Sequence, residues 1–544
     1  MIPSRISSGG WQSASRCSLV ALLALVGIAN LILLLDQSGA LVRSLYLDAD
    51  NASAFVLPAL AGHAPAGALV NLGNHAWYEP WWLMRATAGL HGYRQLWEAA
   101  PIVLGLLGIA VVAACAWSAL GWLAGLLSAV ALVAASESLR GVLYVPESHG
   151  LIVLHTGVLC GALLIAHRLL CRAVPRLPVL LLVGVPLVAF TGAGLTDQLL
   201  YVSGLAPFIL APAWCWLRYG SRPWRAVSLF ALVTGALAAL LGLLLTHLMQ
   251  HQHVIHAPFP VDFVGAEAVL VGLQNLLAAF LSLGGGSFFG RPASGAHLLT
   301  FLTGALIVLA LVAVLASLRR WARATAGSAE PRAAASGSGD LFIAFWALAL
   351  VLVLAAFALT SFSGSVSNIR YLVGAWVALA ALLGTLATTP LARTVVISAV
   401  ALFGVLNLHA DHAGRVPAAG PGPDQQVARA IEHFVTAKGA DLGYSGYWDA
   451  APVTWETHLR VKLYPIQSCK PPQGWCHFDG AQISSWYLPH AGRRTFLLTD
   501  TRAGVPLEVG QPPASFGAPL ASEVVGMGLT VFVYGHDIAA DLGP

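Results

Sequence analysis

The sequence predicts a mainly α-helical, polytopic membrane protein that ends in a small α/β domain. Three observations carry this prediction. Of 544 residues, 58% are hydrophobic and only 10% are charged, a balance foreign to a soluble protein of this length. About 11 apolar runs approach the ~20 residues that cross a bilayer as a helix. From about Asp411 onward the apolar runs give way to short amphipathic segments. The net charge of +4 comes mostly from Arg placed between apolar runs, so it reports membrane topology and not a nucleic-acid surface.

The runs follow in order. Arg5 and Arg16 precede the first one, residues 18–35, which reads as an uncleaved anchor with a cytoplasmic N-terminus. Residues 37–100 form a long first outer loop. Residues 101–120 and 121–135 touch end to end and predict a tight helical hairpin. After a short loop at 136–149 come 150–170, 178–193, 199–216 and 226–249. A fourth outer loop, 250–297, contains the weakly amphipathic stretch 266–283. The last runs are 298–318, 341–360, 371–388 and 394–409, so residues 1–410 make one membrane domain.

The positive-inside rule fixes the orientation. Arg168, Arg172, Arg176, Arg218, Arg222, Arg225, Arg319, Arg320, Arg323, Arg332 and Arg393 all fall on one side. A span at 266–283 would move the Arg319 group to the other side. That stretch is therefore expected in the outer interface or as a re-entrant helix, turned by Gly284-Gly285-Gly286. Residues 324–339, rich in Ser, Gly and Ala, read as a cytoplasmic linker. An odd number of spans places residues 411–544 outside. There, 425–438 reads as a helix with Val427, Ile431 and Phe434 on one face, and 442–448, 461–466, 495–498 and 529–534 read as strands. Of seven cysteines, Cys469 and Cys476 stand apart, flanking Pro471-Pro472. Their spacing suits a disulfide-closed loop in an oxidising compartment.

The chemistry-bearing residues collect on the outer side. Asp48 and Asp50 head the first outer loop. Two carboxylates at a membrane face, in a chain that avoids charge, are functional candidates; as turn or N-cap residues they are equally ordinary. The same loop carries His63, His75, Glu79, His91 and Glu98, with the aromatic cluster Trp77, Tyr78, Trp81, Trp82, Tyr93 and Trp97. The cluster suits an interfacial belt, or a surface for sugars or lipid headgroups. The second loop offers Glu147 and His149, and the third Asp197. The fourth has His247, His251, His253 and His256, without an H-E-x-x-H arrangement; polar loop residues are the simpler reading and a metal site the other. In the fifth, Ser365-Val366-Ser367-Asn368-Ile369-Arg370-Tyr371 places Arg370 at the outer start of a span. There it either snorkels to headgroups or clamps a phosphate.

Together these features resemble the GT-C superfamily of integral membrane glycosyltransferases. The shared parts are a cytoplasmic N-terminus, one span, a long first outer loop opening on Asp48 and Asp50, an adjoining span hairpin and an acid, Glu147, in a short second outer loop. Arg370-Tyr371 is similar to the Arg-Tyr of bacterial members that use polyprenyl-phosphate sugars. The His-Pro-Pro segment of the protein mannosyltransferase and aminoarabinose transferase branch is absent from the first loop. The resemblance implies inverting transfer of a hexosyl or pentosyl group, on the periplasmic face of a bacterial inner membrane, from a lipid-linked sugar donor to a cell-envelope glycan, lipid or protein. Asp48, Asp50 and Glu147 become the catalytic carboxylates, with His149, Arg370, Tyr371, Trp81 and Trp82 binding substrate. No Gly-rich phosphate motif calls for a nucleotide, and a divalent cation is the one cofactor left open. A transporter or lipid flippase is the alternative. It would show interrupted spans and polar groups near mid-membrane, whereas here the polar groups gather at one face.

Overall fold

The structure, a computed structural model, describes residues 9–45, 49–72, 81–144, 149–172, 176–195, 197–255, 261–289, 297–327, 337–413, 423–469, 474–502, 510–526 and 528–543. The chain folds into two compact units. The first comprises residues 1–38, 101–245 and 261–415, and the second residues 39–100, 246–260 and 416–544. Residues 39–100, read from the sequence as a loop of the membrane domain, thus group with the C-terminal residues.

Among the described residues ten helices are long and apolar enough to cross a membrane, or 11 if one bent pair counts as a single span. Three places depart from the sequence expectation. The run at 121–135 is a helix of only 12 residues, Trp122–Val133, bent by 100° into Glu137–Leu143. The break is supplied with partners. Ser136 caps the second helix by accepting from the Leu139 N–H at 3.1 Å, and donates its own hydroxyl to Leu283 O at 2.6 Å. Asn407 Nδ2 donates to Ala134 O, a carbonyl the bend would strand, at 2.9 Å. In the second place, the run at 199–216 narrows to the helix Ala206–Tyr219 behind a π-turn, Tyr201–Leu205. A second π-turn, Leu180–Gly184, sits before Pro186 as the first sits before Pro207. A proline has no N–H to give the carbonyl four residues back, and the ladder widens there.

In the third place, Ala266–Leu283 is a full 18-residue helix and passes the same test of length and apolarity as the expected spans. It ends where expected, at Gly284. The close packing explains the three glycines. A Cβ on Gly284 would lie 2.4 Å from Ile307, one on Gly286 would lie 2.5 Å from the Gly304 backbone, and Gly285 has φ +81°.

The second unit contains a six-stranded mixed sheet. Its strands are β3 (Leu442–Ser445), β4 (Lys462–Ser468), β5 (Trp475–His477), β7 (Thr495–Asp500), β8 (Ala521–Gly526) and β9 (Leu529–Tyr534), in the order β5-β4-β3-β7-β9-β8. β3 runs parallel to β4 and β7; the outer pairs are antiparallel. The helix Pro423–Ala437 lays Val427, Ile431, Phe434 and Val435 on this sheet, against Leu463, Phe496, Leu498, Val531 and Val533. Its apolar residues recur at helical spacing, so one face is dry and the other wet. A smaller sheet joins β1 (Val70–Asn71) to β2 (Val254–Ile255) on one side and β6 (Gln482–Ile483) on the other.

The first-loop residues are packed, not merely tethered, within this unit. The helix Ala49–Ala61 lies along the helix Tyr447–Glu456, with Phe55 stacked on Trp455 at 5.2 Å and both rings buried. Tyr93 Oη donates to Phe55 O at 2.8 Å. Arg94 reaches Glu98 at 2.6 Å and both carboxylate oxygens of Glu456 at 3.1 Å, and Trp455 Nε1 donates to Glu98 at 3.1 Å. Nearby, burial and then the charges of Arg94 and Arg460 hold the His458 imidazole below its usual pKa. Its folded value is lowered, so His458 costs nothing above the ordinary histidine range and destabilises the fold as the pH drops through that range.

A disulfide joins Cys469 to Cys476, whose Cα atoms are 5.8 Å apart, at the β4–β5 hairpin. Closing so short a loop contributes about 2–3 kcal/mol on the chain-entropy account. Cys469→Ser is therefore expected to lower the stability of the unit by about that amount. Thiol labelling of the unreduced, denatured wild type should miss both residues, and labelling of either contradicts the bond.

Candidate functional site

Four residues that sequence reading placed on three different loops meet within the first unit. His149 lies in the turn ahead of the helix Leu151–Cys171, with φ +64°. This left-handed conformation costs a side-chain-bearing residue about 1–2 kcal/mol. The turn is held by contact: a Cβ on the next residue, Gly150, would lie 2.4 Å from Leu143 O. The backbone there can pass only as glycine, and that fixes where His149 emerges.

His149 Nδ1 faces Asp197 Oδ2 at 2.6 Å. Asp197 is itself anchored, because its Oδ1 accepts from the Leu199 N–H at 2.9 Å. A carboxylate opposite Nδ1 selects the tautomer with its proton on that nitrogen, so Nε2 is the nitrogen left for chemistry. Nε2 is buried, and among the described residues no donor or acceptor meets it. The side chains of His149 and Asp197 are about four-fifths buried, at 19% and 18% exposure.

Tyr371 is the meeting point. Its ring lies 5.3 Å from the His149 ring and stacks on Phe362 at 4.1 Å. The Arg370 guanidinium stands over the same ring at 5.3 Å. The segment that carries Arg370 and Tyr371 is the 3-10 helix Asn368–Leu372, followed directly by the apolar helix Val373–Leu382. Polar side chains in and just ahead of it, with one from the helix Ala266–Leu283, bind backbone groups there and hold the chain out of a regular helix. Asn368 Nδ2 donates to Phe362 O at 2.8 Å, Ser365 Oγ accepts from the Ser367 N–H, and Asn275 donates to Ser363 O at 2.7 Å.

The other candidates fall elsewhere. Asp48 and Glu147 lie outside the described residues. Asp50 is in the first turn of the helix Ala49–Ala61, and its side chain is outside the description. Trp81 is core, 1% exposed, whereas Trp82 is 38% exposed, so of this pair only Trp82 offers a free ring face to a ligand. His247, His251 and His253 are described and His256 is not; among the described residues no three His, Cys, Asp or Glu side chains come together as metal ligands. Asp197 was visible in the sequence as a lone loop acid. Its role as the partner of His149, 48 residues away, carried no local signal.

No family model, curated protein or solved structure matches this chain. Its function therefore rests on the chemistry of its own residues.

Proposed function

We propose that the protein is a membrane glycosyltransferase of the GT-C type. In this reading it moves a sugar from a polyprenyl-phosphate donor to a cell-envelope acceptor at the periplasmic face of a bacterial inner membrane. The observation that carries the reading is the Arg370–Tyr371–His149–Asp197 cluster at the ends of apolar helices. A cation and an imidazole beside apolar helix surface suit a ligand with a charged phosphate head and a hydrocarbon tail. The bonded Cys469–Cys476 pair suits an oxidising compartment for the C-terminal residues.

The chemistry then runs as an inverting displacement. The acceptor hydroxyl attacks the anomeric carbon, a carboxylate takes its proton, and the bond to the lipid phosphate breaks. The resemblance of the sequence makes Asp48, Asp50 and Glu147 the candidate carboxylates for this step. Arg370 offsets the charge left on the phosphate.

One observation favours the second reading, a lipid flippase or transporter. The π-turns Leu180–Gly184 and Tyr201–Leu205 interrupt apolar helices, as discontinuous helices do in transporters. The deciding experiment supplies purified protein in proteoliposomes with a mixture of polyprenyl-phosphate sugars and follows the labelled sugar. Transfer to an acceptor supports the glycosyltransferase. Movement of intact donor across the bilayer with no new glycoside overturns it. In the same assay Arg370→Lys is expected to slow turnover about tenfold, because Lys keeps the charge but loses the planar fork that grips two phosphate oxygens.

A further inference from the structure

We propose that the helix ends gathered around Asp340 form a binding site for an anionic phospholipid of the bilayer, with arginines on its headgroup phosphate and exposed apolar surface one turn deeper on its acyl chains. This site goes beyond the glycosyltransferase reading and needs only that the apolar helices of the first unit cross a membrane.

Five helices are tied together here. Asp340, in the first turn of the helix Gly337–Leu359, accepts from Tyr219 Oη at 2.6 Å and from Trp321 Nε1 at 2.8 Å. Tyr219 ends the helix Ala206–Tyr219, and Trp321 lies in the helix Leu298–Gly327. The Trp224 ring, near the start of the helix Arg222–His251, lies 5.8 Å from the Tyr219 ring and 4.4 Å from that of His167 on the helix Leu151–Cys171. Ser338 Oγ is 3.3 Å from His167 Nδ1. Asp340 thus takes both hydrogen bonds from neutral donors and uses none of the arginines around it. Arg168 adjoins His167, Arg218 adjoins Tyr219, Arg222 and Arg225 flank Trp224, and Arg320 and Arg323 flank Trp321. All but the half-buried Arg218 are exposed, and among the described residues none of the six pairs with a carboxylate. Arg168 gives one N–H to Ser118 O at 2.5 Å, which leaves the rest of its fork open. Topology requires arginine on this side of the membrane, but not around one point. The excess positive charge is offset when an anion joins it, and a phosphate takes two N–H groups of a guanidinium at once. The surface beneath supplies the rest. Trp214 lies one helical turn deeper than Arg218 on the same face and is 50% exposed, with Leu217 at 79% beside it. A guanidinium at the helix end above a bare apolar face matches a phosphate headgroup above its acyl chains, and not a free anion.

The test measures lipid retention, not turnover. Full-length protein purified in a neutral detergent is titrated with phosphatidylglycerol, phosphatidylcholine and inorganic phosphate, and bound lipid is counted by native mass spectrometry. The wild type is expected to hold phosphatidylglycerol about tenfold more tightly than phosphatidylcholine, the size of a charge-assisted hydrogen bond. Arg218→Gln and Arg320→Gln should each remove most of that preference. Their thermal midpoints without lipid should stay at the wild-type value, because neither guanidinium pairs with a carboxylate among the described residues, and single replacements leave the other arginines to orient the chain. Trp214→Ala should weaken both lipids and leave their ratio unchanged. Arg393→Gln, which the sequence places on the same side but outside the cluster, and whose Nε is held by Ala387 O at 3.1 Å, should keep the wild-type preference. Equal retention of the two lipids, or a loss in Arg393→Gln as large as in Arg218→Gln, overturns the site and leaves a diffuse charged surface. Displacement of phosphatidylglycerol by an equal concentration of inorganic phosphate overturns the lipid as its ligand. None of these outcomes needs sugar transfer, so they stand apart from the success or failure of the glycosyltransferase reading.

Discussion

Glu456→Ala is expected to destabilise the second unit by about 3–5 kcal/mol, the usual consequence of removing one partner from a buried ion pair. The side chains of Arg94 and Glu456 are 15% and 4% exposed. Without Glu456 the Arg94 guanidinium keeps Glu98 and loses two of its charged contacts, while its remaining N–H groups have little water to turn to. The damage should reach further than one pair. Arg94 also lies over the Trp455 ring at 5.6 Å, and Trp455 supports Phe55. Thermal unfolding in detergent, followed by protease resistance of the C-terminal domain, measures the effect. A double replacement of Arg94 and Glu456 by apolar residues of similar size should recover most of the loss, since the pair itself is close to neutral against good packing. A midpoint unchanged in Glu456→Ala would mean that water reaches this contact.

On the proposed glycosyltransferase reading, Asp50→Asn is expected to lower sugar transfer by about 10²- to 10⁴-fold, the range for losing a general base. Asn keeps the size and the hydrogen bonds of Asp but cannot take a proton at neutral pH. Asp48→Asn is the companion experiment, because either acid of the Asp48–Ala49–Asp50 stretch can fill the role. Expression and thermal midpoint should stay near wild type in both. Full transfer by both variants would return the two acids to the ordinary work of starting the helix Ala49–Ala61 and move the base to Glu147.

Most of the apolar helices were legible because a span advertises itself by length, and nothing else in water-soluble folds keeps charge away for ~20 residues. The helix over 425–438 was legible by period, since it buries one face, while the strands near 442 and 495, buried on both faces, and those near 461 and 529, which partly alternate, were legible as short apolar runs between turn residues. The bend after Val133 was not. It depends on Ser136, Asn407 and Leu283, and only one of these lies near the bend in sequence. The helix Tyr447–Glu456 was missed because its aromatic start reads as strand and Pro452 sits inside it. At the site, the Arg370-Tyr371 pair was readable as a dipeptide at a span start. The His149–Asp197 contact was not, because its information is the packing of the His149–Gly150 turn on Leu143. The strand pairing of residues 70–71 with 254–255 and 482–483 was equally hidden: two residues of strand carry no pattern.

The distance along the chain between Arg94 and Glu456, 362 residues, has a consequence for how the protein is made. The ribosome releases the segment that carries Asp50 long before it begins the helix Tyr447–Glu456. Throughout that interval Phe55, Tyr93 and Arg94 lack the surface that later covers them. A chain cut short anywhere before residue 447 would therefore lose more than its last domain. It would leave Phe55, Tyr93 and Arg94 in an unsupported segment with exposed apolar side chains, a substrate for quality-control proteases.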